Sequence, residues 1–140
     1  MDLSPSCLDV AGKRVARFDP QLIEANVLEP IDYDGDRFDS VGLNYVLHCL
    51  PGDIGSKSVA LEHLCALANP GAWVFGATLL QDGVHCNWFA RKVMDRNNSH
   101  GIFSNVDDSL DGLRLAISDR LSDASVEVVG CVGIFAGKVQ

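Results

Sequence analysis

Two unbroken apolar runs, 38–47 (FDSVGLNYVL) and 72–80 (AWVFGATLL), constrain the fold of this chain more than any other feature. A strand that faces water on one side alternates apolar and polar residues, whereas a strand covered on both faces reads as a continuous apolar run, the situation of a parallel sheet. Between the runs, Ser56 to Ala68 places Val59, Leu61, Leu64, Cys65 and Leu67 at helical spacing, and Asn69-Pro70-Gly71 stops it. Parallel neighbours need a long crossover, which such a helix supplies. The expectation is a pair of adjacent parallel strands joined through that helix.

The remaining segments extend the pattern. Ser4-Pro5 is a helix entry, and Leu8, Val10, Ala11 and Val15 make one stripe of a helix over 4–16. Gln21 to Leu28 predicts a brief strand, and Tyr33-Asp34-Gly35-Asp36 a turn. Val84 to Met94 reads as an amphipathic helix with Trp88, Phe89 and Val93 inward, and Trp73 as core. Gly101 to Asn105 is a loop, and Asp107 to Leu121 predicts a last helix with Leu110, Leu113 and Ile117 on one face. Ser125 to Val139 is β-rich, with Gly130 connecting two strands. Strands and helices in alternation, closed by a strand pair, specify an α/β sheet, and no linker or repeat divides 1–140, so one domain is expected.

Charge limits the partners. A net charge of −8, with only 11 scattered basic residues, disfavours a nucleic-acid backbone as ligand. No apolar run approaches the roughly 20 residues that span a bilayer, and no signal-peptide pattern is present, so a soluble, cytoplasmic protein is expected. Five cysteines at wide spacings without a C-x-x-C pair read as reduced, mostly buried thiols. Metal sites are not expected. His48-Cys49 and His85-Cys86 are adjacent pairs rather than spaced ligands, and a calcium loop starting at Asp32 would meet Arg37 and Leu43 where glycine and glutamate belong. His48, with an unperturbed pKa near neutrality, is a weak candidate for a general base.

Three words of the sequence carry a resemblance. They are Asp2-Leu3-Ser4-Pro5-Ser6-Cys7-Leu8, then Phe38-Asp39-Ser40-Val41 leading into Leu43-Asn44-Tyr45-Val46-Leu47-His48-Cys49-Leu50-Pro51-Gly52, then Leu67-Ala68-Asn69-Pro70-Gly71-Ala72-Trp73. In this order and spacing, with Val126 to Lys138 as a closing strand pair, the chain resembles the class I S-adenosylmethionine-dependent methyltransferases from the end of their second strand onward. The resemblance implies a Rossmann-like methyltransferase fold of the α/β class: an incomplete, mostly parallel sheet with helices on both faces and a C-terminal antiparallel strand pair.

It also implies roles. Asp2 matches the acid that accepts from the ribose hydroxyls of S-adenosylmethionine. Asn26 and Val27 lie in the segment that meets the adenine, Asn26 standing where the family commonly has Asp. Asn44 and Tyr45 fall at the strand end beside the methionine portion, and Trp88, Phe89 and Phe103 in the region that lines acceptor pockets. The implied activity is methyl transfer to a small organic acceptor. The family's first strand, its Gly-x-Gly-x-Gly loop, first helix and most of the second strand have no counterpart here, so a truncated domain with an open apolar sheet edge is expected. Such an edge invites a homodimer or a complementing chain. It also raises the alternative of a non-catalytic, methyltransferase-derived protein acting through self-association or a partner chain.

Overall fold

The computed structural model describes residues 1–140. Its centre is a four-stranded sheet in the order β1-β2-β4-β3, formed by β1 (Phe38–Asn44), β2 (Ala68–Leu79), β3 (Leu121–Val129) and β4 (Val132–Val139). β1 and β2 pair in parallel, with Val41 opposite Val74 and Asn44 opposite Ala77. This is the arrangement expected of the two apolar runs. β4 runs antiparallel to both β2 and β3, so three strands share one direction and the last is reversed. Gly130, at φ 61°, makes the tight connection between β3 and β4, a backbone conformation that glycine adopts without steric cost.

Five helices accompany the sheet: α1 (Pro5–Val15), α2 (Ile54–Lys57), α3 (Val59–Cys65), α4 (Trp88–Ser99) and α5 (Leu110–Ser118). Their starts follow from sequence. Ser4, Asn87 and Ser109 accept backbone N–H bonds at the entries of α1, α4 and α5, and Asp53 with Ser56 forms a reciprocal capping box on α2. The core is one cluster in which Leu61 and Leu64 of α3 and Leu113 and Ile117 of α5 meet Leu43, Val74 and Phe135 of the sheet. Each such fully buried side chain contributes about 1.5–3 kcal/mol. α5 approaches β4 so closely that a Cβ on Gly133 would lie 2.6 Å from Leu113 Cδ2.

Several expectations are corrected. The crossover helix is two short helices, because Ser58 ends α2 and begins α3, and β2 already starts at Ala68. Asn69-Pro70-Gly71 lies within β2, where the register with β1 slips between Phe38 and Ser40. No strand forms over 21–28; Glu24 makes only an isolated parallel bridge with Asp2. α4 begins at Trp88 rather than Val84, since Asn87 caps it there. Of the four apolar residues in the α1 stripe only Leu8 is buried.

The largest departure concerns the faces of the sheet. The β2 residues alternate, with Ala72, Val74 and Thr78 buried and Trp73 and Phe75 exposed. Trp73, Phe75 and Ile134 of β4 are 48%, 43% and 43% exposed, so the helical cover expected on both faces is present on one. The run at 72–80 was continuous because both faces are apolar, not because both are covered. The thiols depart likewise: Cys7 and Cys49 are exposed, Cys65, Cys86 and Cys131 are half-buried, and all five are free.

Candidate functional site

A cavity of about 380 Å³ opens between the free edge of β1 and the segments around Asp2 and Asn26. Its position follows from a backbone exchange. Asp2 N–H donates to the Ile23 carbonyl and Ala25 N–H to the Asp2 carbonyl, both at 3.2 Å, which holds the start of α1 beside 23–27. The opposite wall comes from Gly42 and Leu43 at the end of β1 and from Tyr45, Val46, Cys49 and Leu50 in the turn that follows. Volume and a mostly apolar lining with few polar groups fit a small-molecule site.

The cavity gathers four of the residues singled out from sequence, Asp2, Asn26, Val27 and Tyr45, and leaves Asn44 outside its lining. Asp2 Oδ1 accepts Ser4 N–H at 2.8 Å, which orients the carboxylate at the helix entry. Asn26 Oδ1 accepts Leu28 N–H at 3.1 Å and its Nδ2 donates to Glu29 Oε1 at 2.9 Å. The amide oxygen retains one lone pair for a further donor. The Val27 carbonyl is bonded to His63 Nδ1 at 2.9 Å, tying this wall to α3. Tyr45 has φ 57°, a left-handed conformation that costs a non-glycine residue of order 1–3 kcal/mol, and its N–H donates to the Ala77 carbonyl at 2.7 Å. That bond fixes the chain reversal at the cavity rim.

Beside the rim lies a second group. His48 is 3% exposed, and its ring stands edge-on between Tyr45, at 5.8 Å, and Phe103, at 4.7 Å. His48 Nδ1 lies 3.4 Å from both Thr78 Oγ1 and the Leu79 nitrogen, whose N–H donates to it. Burial, and then the positive charge of Lys57, lower the His48 pKa to about 4. The imidazole is therefore neutral near pH 7 and too weakly basic for efficient general-base work there. Trp88 and Phe89, expected inward, are 77% and 61% exposed and stack edge-to-face at the start of α4. Neither lines the cavity. The inward residue of α4 is Met94, because the observed helix is shifted from the sequence reading by four residues at its start.

No family model matches this chain. Among curated proteins it is 40% identical over 135 residues to demethylluteothin O-methyltransferase of Streptomyces thioluteus, which covers 96% of the chain and 59% of that enzyme. It is 36% identical over 138 residues to the uncharacterised protein YbcY of Escherichia coli, spanning 97% of this chain and 71% of that one. The N-methyltransferase NodS of Bradyrhizobium japonicum, crystallised with S-adenosyl-L-homocysteine, superposes with a TM-score of 0.60 at 12% identity over 99% of the chain and 64% of its own length. The chain belongs to the class I S-adenosylmethionine-dependent methyltransferase family. Its fold is the Rossmann-like methyltransferase fold, and the cofactor of this family is S-adenosylmethionine. The chain spans about three-fifths of the length of the Streptomyces methyltransferase. No helix in it is long and apolar enough to cross a membrane.

Sequence reasoning missed a fully buried ion pair beside this site. Lys57 and Asp108, 51 residues apart, form an ion pair at 2.8 Å with both side chains fully buried. Nothing in Gly55-Ser56-Lys57-Ser58 or Asp107-Asp108-Ser109 distinguishes these residues from a solvated helix end.

Proposed function

We propose that this methyltransferase-family chain holds S-adenosylmethionine in the cavity between Asp2 and β1 and serves methyl transfer to an oxygen of a small aromatic acceptor. The observation that carries this reading is the convergence of Asp2, Asn26, Val27 and Tyr45 on one cavity, in a chain 40% identical to an O-methyltransferase. The donor set suits the ligand. A carboxylate accepts from two vicinal hydroxyls, an amide oxygen from an exocyclic amine, and the apolar walls take a purine. Asp2 would hold the ribose, Asn26 and Val27 the adenine, and Tyr45 would flank the methionine portion, with Asn44 behind it at the end of β1 and outside the lining. When bound, S-adenosylmethionine supplies a methyl group on a positively charged sulfur.

The chain's own residues then contribute by placement. Tyr45 lines the cavity and is backed edge-on by the buried His48 ring, which in turn meets Phe103, and Trp88 and Phe89 offer exposed apolar surface at the start of α4. Aligning an acceptor oxygen with the methyl group is worth several kcal/mol of barrier without any group acting as a strong base. A neutral, buried His48 suits the role of a packing support behind Tyr45 rather than that of a proton acceptor.

The exposed edge of β1 and the open face bearing Trp73, Phe75 and Ile134 support pairing with a second copy or a complementing chain. Net charge disfavours nucleic acid as a partner. Five free thiols suit a reducing compartment such as the cytoplasm.

Because Asp2 is the one carboxylate lining the cavity, binding is expected to be weak and dependent on it. Titration of the chain with S-adenosylmethionine, followed by amide NMR, should move the resonances of Asp2, Ala25–Val27 and Tyr45. Asp2→Ala should weaken binding about tenfold or more, since a charge-assisted hydrogen bond is worth about 1.5–3 kcal/mol. Shifts confined to other surfaces, or an Asp2→Ala chain that binds equally well, would reject the assignment.

A further inference from the structure

The Lys57–Asp108 pair lies outside the cavity and plays no part in holding a cofactor. Lys57 ends α2, and Asp108 immediately precedes Ser109, the cap of α5. Lys57 Nζ donates to Asp108 Oδ1 and Oδ2, each at 2.8 Å, and to the Ser104 carbonyl, so every ammonium proton has an acceptor. A buried ion pair is a poor device for stability alone, because apolar residues of similar volume often serve as well or better. What it ties together is more specific.

The segment from Phe103 to Asp108 is pinned at Ser104, Asn105 and Asp108. Ser104 N–H donates to the His48 carbonyl at 2.8 Å. Buried Asn105 donates from Nδ2 to the Leu79 carbonyl at 3.1 Å and accepts from Asn98 Nδ2 of α4 at 2.8 Å. The Asp108 carbonyl accepts the N–H groups of Gln81 and Asp82 at 2.9 and 3.2 Å. Phe103, at the head of this segment, packs edge-on against His48, whose ring in turn meets Tyr45 at the cavity rim. The ion pair is the one charged tether in the set, and it joins the segment to α2.

We propose that Lys57 and Asp108 are positioning residues for the methyl acceptor: by clamping 103–108 they hold Phe103 on the buried His48 ring, which backs Tyr45 at the cavity rim where the acceptor lies. The inference rests on the acceptor reading above. It assigns the pair a task that apolar replacements cannot perform, since these would refill the volume without tethering the Ser104 carbonyl.

The test uses Lys57→Met, the double variant Lys57→Met with Asp108→Leu, and Phe103→Leu as a reference for a lost ring contact. Three readouts are needed: the melting temperature, the His48 ring proton shifts, and binding of 4-nitrocatechol followed by its absorbance. Lys57→Met should lower the melting temperature, and the double variant, which buries no lone charge, should regain most of it. In both, the His48 resonances should move toward those of Phe103→Leu, and 4-nitrocatechol should bind at least tenfold more weakly. A double variant that recovers the wild-type His48 shifts together with its melting temperature would overturn the proposal and make the pair a stability device only. Wild-type chain that fails to bind 4-nitrocatechol would overturn the hydroxylated-aromatic acceptor, while the His48 shifts still decide the positioning role.

Discussion

At the scale of single residues, His48 shows how tertiary context rewrites a side chain's chemistry. Its pKa of about 4 lies below the ordinary 6.5, mainly through burial. Between these values the unfolded chain carries the extra proton, so stability falls as pH drops through 6.5 and the loss levels off near 4. The loss should be on the order of 3 kcal/mol. Urea melts at pH 7 and pH 4.5 on wild type and His48→Gln should show this slope in the first and a much smaller one in the second. A His48 ring that titrates near 6.5 by NMR would contradict the burial argument. Tyr45 offers a second residue-scale outcome. At φ 57° a β-branched side chain is strained, so Tyr45→Val should lose about 1–3 kcal/mol, whereas Tyr45→Asn, at home in that conformation, should lose less. Equal melting temperatures for the two variants would remove backbone strain from the account of this turn.

At the scale of elements, the two apolar runs and the capping residues were legible because they act locally. Period and punctuation decided where β1, β2, α1 and α5 lie, give or take a few residues. The segment 21–28 was misread for a physical reason. Its apolar residues have strand propensity, yet a strand needs a ladder, and here the bridge to Asp2 is its sole pairing. α4 starts later than the periodicity suggests because the Asn87 side chain accepts the Ala90 N–H and caps the helix there, leaving Val84 to Cys86 outside it. Close packing between elements gives a further prediction. Gly133→Ala would push a methyl into Leu113 and Leu80, at 2.6 and 2.9 Å from their side chains, on the contact between α5 and β4. It should destabilise by about 1–3 kcal/mol, as overpacked cores do. A thermal melt unchanged from wild type would show that α5 can slide outward at no cost.

At the scale of the whole molecule, one covered and one open face make the sheet asymmetric. The open face, with Trp73, Phe75 and Ile134, adjoins the free edge of β1. Association is therefore expected at micromolar concentration, and Trp73→Lys with Phe75→Lys should abolish it while leaving the melting temperature nearly unchanged, since neither residue belongs to the core cluster. Sedimentation showing a compact wild-type monomer throughout that range would remove the case for a partner on this face. Sequence alone determined the α/β class, the parallel pairing of the two apolar runs and the kinship with methyltransferases, because each is written in local period and word order. The gathering of Asp2, Asn26, Val27 and Tyr45, the neutral state of His48, the burial of Lys57 with Asp108 and the exposure of Trp73 and Trp88 were decided only by tertiary structure. Each depends on which surfaces meet across dozens of residues, and an apolar or charged side chain does not record whether anything will come to cover it.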